Sequence, residues 1–253
     1  MIDYTKLSSQ DLNRELVKAC ESGDLELAKY LVSSNELPVH ADITHNKWIA
    51  IKSATASGQI DVVKYFLEDI QNHYPNIVFY HACQNGQLEI LKLVYEATDF
   101  KSEKDSSWYY GGLSAASSGQ VNIIDYFLTS KEFILFVKNN QMEDLFTGAC
   151  NSGQINVVEY LANLPKFIQN NSLNNACNKG MIVACDSNET EMMKYLIFNL
   201  NMTLKENTKE HLIKAGRNDI LDMFNIRELR KDLHTDLNKN LRIHNEQTRK
   251  IKI

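Results

Sequence analysis

An all-α fold, an α-solenoid of stacked helix–turn–helix units with short or irregular connectors, is what these 253 residues predict. Three observations carry that expectation. One glycine recurs as Gly23, Gly58, Gly86, Gly119 and Gly153, at spacings of 35, 28, 33 and 34, and Asn188 takes the slot 35 further on. A small pair precedes each anchor by four and three residues, and an apolar pattern of helical period follows it. A period of about 33 residues with three such markers describes one supersecondary unit, repeated.

The first helix of each unit ends at the anchor. Only Gly, and less readily Asn, takes the left-handed conformation cheaply at a helix C-terminus, and five of the ten glycines sit in this one slot. The pair before it reads Ala19-Cys20, Ala54-Thr55, Ala82-Cys83, Ala115-Ala116, Ala149-Cys150 and Ala184-Cys185. Small side chains at a fixed site let neighbouring helices approach to about 8–10 Å. The second helix places apolar residues two, four, five, seven and eight after the anchor, as in Ile155, Val157, Val158, Tyr160 and Leu161. Between them lie polar sites three and six after it, such as Glu26 and Lys29, Glu89 and Lys92, Glu191 and Lys194. That is an amphipathic helix with a wide apolar face, which a lone pair cannot bury, so the units must stack. Pro38, Pro75 and Pro165 are expected in the connectors.

The segments LVKACESGDLELAKYLV (16–32), FYHACQNGQLEILKLVY (79–95) and LFTGACNSGQINVVEYL (145–161) resemble the ankyrin repeat. The likeness extends over six units from residue 12 to 198, and HLIKAGRNDILDMFNI (211–226) reads as a degenerate seventh. Two departures stand out. No unit carries the family's Thr-Pro-Leu-His tetrapeptide, and the connectors lack its Gly-Ala-Asp stretch, so irregular or reduced hairpin fingers are expected. Gln59, Gln87, Gln120 and Gln154 stand where the family usually has His. The domain organisation expected is a repeat array over 1–224, followed by a basic amphipathic capping helix or tail over 225–253.

Composition narrows the function classes. The net charge of −5 offers no global basic field for nucleic acid, and no apolar run approaches the roughly 18 residues that span a bilayer. The longest, Phe133 to Val137, is far shorter. Five cysteines, without paired spacing, suit a reducing compartment, so a soluble cytoplasmic protein is expected. Abundant Asn and Lys with three prolines suggest an AT-rich genome, and the resemblance then implies an effector acting on host proteins in the host cytosol.

Residues that could carry chemistry read first as architecture. Cys20, Cys83, Cys150 and Cys185 share one small core slot, and Cys177 stands outside it. None of the seven histidines has a metal-ligand spacing, so no metal, cofactor or catalytic residue is expected. Tyr30, Tyr65, Tyr126, Tyr160 and Tyr195 fill the site seven after the anchor, as rings packed between units with the hydroxyl at the wet edge. Trp48, Trp108, Tyr109 and Tyr110 lie about ten residues before their anchors. The resemblance places that position on the concave binding side, and Trp and Tyr are the types enriched in interface hot spots. The competing reading has them plug gaps left by the connectors.

In residues 225–253 eight Lys and Arg face four Asp and Glu, and Leu229, Leu233, Leu237 and Leu241 recur every four residues. This predicts a helix that closes the array, with a partner-binding or membrane-surface helix as the alternative. The expected function is a non-enzymatic, monomeric scaffold that binds a protein partner through its concave face and connector tips. The alternative is an enzyme or enzyme modulator with a site in the connectors, around His40, Asp42 and His45 or within 162–185. Nucleic-acid binding through the basic tail is a further, less favoured reading.

Overall fold

The computed structural model describes residues 2–68, 70, 75–97, 104–130, 139–165 and 172–251; the apolar run 133–137 lies outside them. Among the described residues there are fourteen α-helices and no strand. They are α1 (Ser9–Ser22), α2 (Leu25–Ser33), α3 (His45–Ala56), α4 (Ile60–Tyr65), α5 (Pro75–Asn85), α6 (Leu88–Ala97), α7 (Lys104–Ser117) and α8 (Val121–Thr129). There follow α9 (Asn139–Asn151), α10 (Ile155–Ala162), α11 (Ser172–Asp186), α12 (Thr190–Phe198), α13 (Glu206–Lys214) and α14 (Asn218–Ile251). The chain divides into two compact units, residues 1–149 with 156–161, and residues 150–155 with 162–253.

In the first unit each helix pairs with its successor across a hinge, α1 with α2, α3 with α4, α5 with α6 and α7 with α8. First helices then pack in series (α1, α3, α5, α7), and second helices likewise (α2, α4, α6). The second unit repeats the scheme, with α11 against α12 and α13, and α14 against α12 and α13. The small slots explain the close approach: Ala19, Ala54, Ala82, Ala115, Ala149 and Ala184 are all buried, as are the residues that follow them.

The hinge has one geometry throughout. Gly23, Gly58, Gly86, Gly119 and Gly153 have φ between 67° and 80°, Asn188 has 58°, and Gly216 extends the series at 73°. The N–H after the anchor bonds the carbonyl five residues back, as Gln59 does to Ala54 at 2.9 Å and Arg217 to Leu212 at 2.8 Å. The anchor's own N–H bonds three back, as Gly58 does to Thr55 at 3.1 Å, which completes a Schellman cap. The next residue is an inverse γ-turn, with Gln59 at φ −81°, ψ 77°, and starts the second helix.

Gln59, Gln87 and Gln120 are explained by the unit before them. Each donates its side-chain amide to a last-turn carbonyl of the preceding first helix, Glu21 at 3.1 Å, Ala56 at 3.0 Å and Gln84 at 3.1 Å. Such carbonyls have no partner within their own helix. The same side chains lie over Gly23, Gly58 and Gly86, where a Cβ would collide with them. Gln154 instead bonds Ser152 in its own hinge, and Asn156 reaches back to Gly119 at 2.8 Å. In the last copy Arg217 takes the slot and donates to Asn188 and Thr190.

The connectors are held without strands. Asn13 accepts from the Asp42 N–H at 2.6 Å, and Asn178, ten before its anchor as Asn13 is, accepts from the Lys205 N–H at 2.8 Å. Leu37 and Ala41 in one connector, and Met202 and Leu204 in the other, are buried against the helices. Pro75 opens α5 instead of lying in a connector, a position where its missing N–H costs nothing. Residues 172–186 are helix rather than connector, and Cys177 is a buried member of it.

α14 starts at Asn218 and runs through the boundary expected at 224/225. Ile220, Phe224 and Arg227 are buried, whereas Leu229, Leu233, Leu237 and Leu241 are exposed. Only the start of this helix therefore closes the unit.

Candidate protein-binding surface

The four candidate aromatics part company. Trp48 is 5% exposed: Asn46, Lys47 and Trp48 form one left-handed turn, with φ of 46°, 55° and 65°, that carries the indole inward. That burial suits the gap-filling reading and leaves little of the ring to meet a partner. A left-handed turn costs roughly 1–2 kcal/mol per residue, so this conformation persists only with the burial to offset it. Trp108 lies in α7, but its side chain is outside the described residues.

Tyr109 and Tyr110 follow it on α7. Tyr110 is 60% exposed and meets the Tyr109 ring edge-on at 5.5 Å. Tyr109 is half-buried and donates its hydroxyl to Asp144 on α9 at 3.1 Å; burial, then the Asp144 charge, push its pKa upward. On the adjacent first helix, α5, Tyr80 is 42% exposed and meets the His81 ring edge-on at 5.8 Å. Burial, with the Lys52 charge beside it, lowers the pKa of His81. α7 lies close on α5 because Gly111 faces Phe79 and Cys83 with no side chain between. α5 and α7 therefore each carry an exposed tyrosine, Tyr80 and Tyr110, with Tyr109 held in place by its hydrogen bond. Tyr80 gave no signal in sequence, because an exposed Tyr inside an apolar helix reads as core.

The tyrosines seven after the anchor are edge residues, as expected. Lys29 lies 5.6 Å from the centroid of the Tyr65 ring, and Lys92 the same distance from that of Tyr126. Tyr160 donates to Asp125 at 2.6 Å, and burial with that carboxylate raises its pKa. In all three the residue six after one anchor meets the ring of the next unit, a contact between units that sequence spacing alone does not reveal.

Other reactive types are committed to structure. All five cysteines are free and buried; burial holds Cys20 and Cys177 at about 12 and lifts Cys83 and Cys150 well above the usual thiol range. Of the connector residues weighed as an enzyme site, His40 meets the Ser34 carbonyl at 2.9 Å, and Asp42 caps Thr44 at 2.7 and 2.8 Å. Cys185, Asp186 and His211 bring their ligating atoms within 4.8 Å of one another. His211 is already bonded to Asp186 at 2.7 Å, and the Arg217 guanidinium beside Cys185 opposes a cation there.

No helix among the described residues is long and apolar enough to cross a membrane. A family model for ankyrin repeats, in 3 copies, matches residues 16–107. The comparisons with curated proteins and with solved structures gave no match. Residues 16–107 of this chain are therefore ankyrin repeats, and the paired helices and left-handed hinges carry a helical repeat on to Gly216.

Proposed function

We propose that the protein is a non-enzymatic scaffold that binds a partner protein through the faces of its first helices, centred on Tyr80, Tyr109 and Tyr110. Ankyrin repeats are generally protein–protein interaction modules and typically non-catalytic. The single observation that carries the local reading is the exposed Tyr80 and Tyr110 on adjacent helices, beside a Tyr109 already fixed to Asp144. Tyr supplies large, rigid contact area at low entropic cost, which suits a hot spot.

The test pairs capture with affinity. A partner captured from native extract by the full chain is purified and titrated against wild type, Tyr110→Ala and Tyr80→Ala. Each variant is expected to bind at least about tenfold more weakly, roughly 1.4 kcal/mol, with the helical spectrum unchanged. Equal affinity in both variants would move the binding surface elsewhere.

A further inference from the structure

The C-terminal helix carries more apolar surface than closing the array uses. At its start Arg227 is buried and donates to the backbone carbonyls of Ile197 and, at 2.6 Å, of Met202. Beyond that point the helix has no cover among the described residues: every position from 232 to 241 is exposed, on all sides. Leu229, Leu233, Leu237 and Leu241 are 61, 69, 59 and 51% exposed, and Ile226 is 49%.

The sequence there runs in four-residue phrases, LRKD, LHTD and LNKN, closed by Leu241. Arg230, His234 and Asn238 follow each leucine, and Asp232, Asp236 and Asn240 precede the next. At 3.6 residues per turn the two series lie about 80° to either side of the leucine stripe. One edge therefore carries the Arg230 cation with His234 and Asn238, and the other the carboxylates of Asp232 and Asp236 with Asn240.

That asymmetry selects the occupant. Two helices packed parallel about a two-fold axis set the Asp232/Asp236 edge of each against the Arg230/His234 edge of the other, on both sides of the seam. An antiparallel pair would set Asp against Asp. A lipid surface or a nucleic acid would call for basic residues on both edges. We propose that residues 226–241 form a parallel homodimer seam, so that a second copy of this chain covers the exposed leucines.

The four-residue spacing drifts by about 40° per step, so the partners cross as two interdigitated i±4 ridges and do not wind as a heptad coil. The stripe is about 22 Å long, which makes a small interface. Association is therefore expected to be weak.

Sedimentation of the full chain from about 1 to about 300 µM should show a monomer–dimer equilibrium. Leu233→Asp with Leu237→Asp should stay monomeric throughout, with an unchanged helical spectrum and the wild-type melting temperature at the lowest concentration. Asp232→Lys with Asp236→Lys makes both edges basic, and Arg230→Glu with His234→Glu makes both acidic. Each charge variant alone should be monomeric where wild type is dimeric, and an equimolar mixture should restore the dimer. Three results overturn the proposal: wild type monomeric at the highest concentration, a dimer that survives the leucine changes, or a charge variant that dimerises as well as wild type. In the first case, titration with anionic vesicles and with duplex DNA shows whether either takes the stripe instead.

Discussion

Asn178→Ala lowers the stability of the second unit by about 3 kcal/mol, measured by urea unfolding. The amide is buried in α11, and its bonding capacity is full. Its oxygen accepts from the Lys205 N–H and from the Thr208 hydroxyl, both at 2.8 Å, and its nitrogen donates to the carbonyls of Asn174 and Thr203, both at 2.8 Å. An Asn amide has two donors and one two-lone-pair oxygen, so none of these is spare. Truncation strands the buried Thr208 hydroxyl and the Lys205 N–H, at roughly 1–3 kcal/mol for each group left unsatisfied. Asn178→Asp keeps the acceptor but loses both donors and adds a buried charge, and it should not rescue. A loss under about 1 kcal/mol would mean that the connector at 199–205 is held by its apolar residues alone.

Gly111→Leu costs a comparable amount, about 3 kcal/mol, by forcing α7 from α5. A Cβ at Gly111 would stand 2.8 Å from a Phe79 ring carbon and 3.0 Å from the Cys83 sulfur, both in the packed interior and unable to swing away. Even Gly111→Ala should destabilise, although in an open helix the same change gains up to about 1 kcal/mol of propensity. Gly148→Ala is the control. Its Cβ would meet Leu113 and Ser117 at 3.6 Å, an ordinary contact, so propensity should win and stability should rise. Thermal or urea unfolding of the three variants reads the order directly, and a Gly111→Ala as stable as Gly148→Ala would contradict the close approach of α5 and α7.

The periodic part of this architecture was legible because the physical demand at each site is local. A left-handed hinge requires Gly or Asn within a few residues of a fixed helix end, and Asn188 at φ 58° meets it as the glycines do. The small Ala sites and the apolar second helices follow from the same local logic. What was not legible depends on partners one unit away. Asn13 and Asn178 reach connectors 29 and 27 residues distant, and Gln59 reaches a backbone carbonyl 38 residues back, which no side-chain pattern marks. For Trp48 the surface and gap-filling readings stay level in the sequence, because the left-handed turn that carries it inward has no glycine to announce it. For the leucines of α14 the stripe was visible and its cover was not, since the same spacing serves a cap or a partner.

The most direct test of the repeat architecture is a Gly-versus-Ala comparison at position 188, the one hinge anchor without a glycine in the six clear copies. Both substitutions remove the side-chain oxygen that accepts from Arg217 at 3.2 Å, so that loss cancels between them. If α11 and α12 are separate helices joined by a left-handed hinge, Asn188→Gly is more stable than Asn188→Ala by about 1 kcal/mol, because alanine is strained at positive φ. If the segment were one continuous right-handed helix, the order would reverse by a similar amount, since alanine is the better helix former. Urea unfolding of the two variants should give Gly above Ala, and Ala above Gly would contradict the repeat.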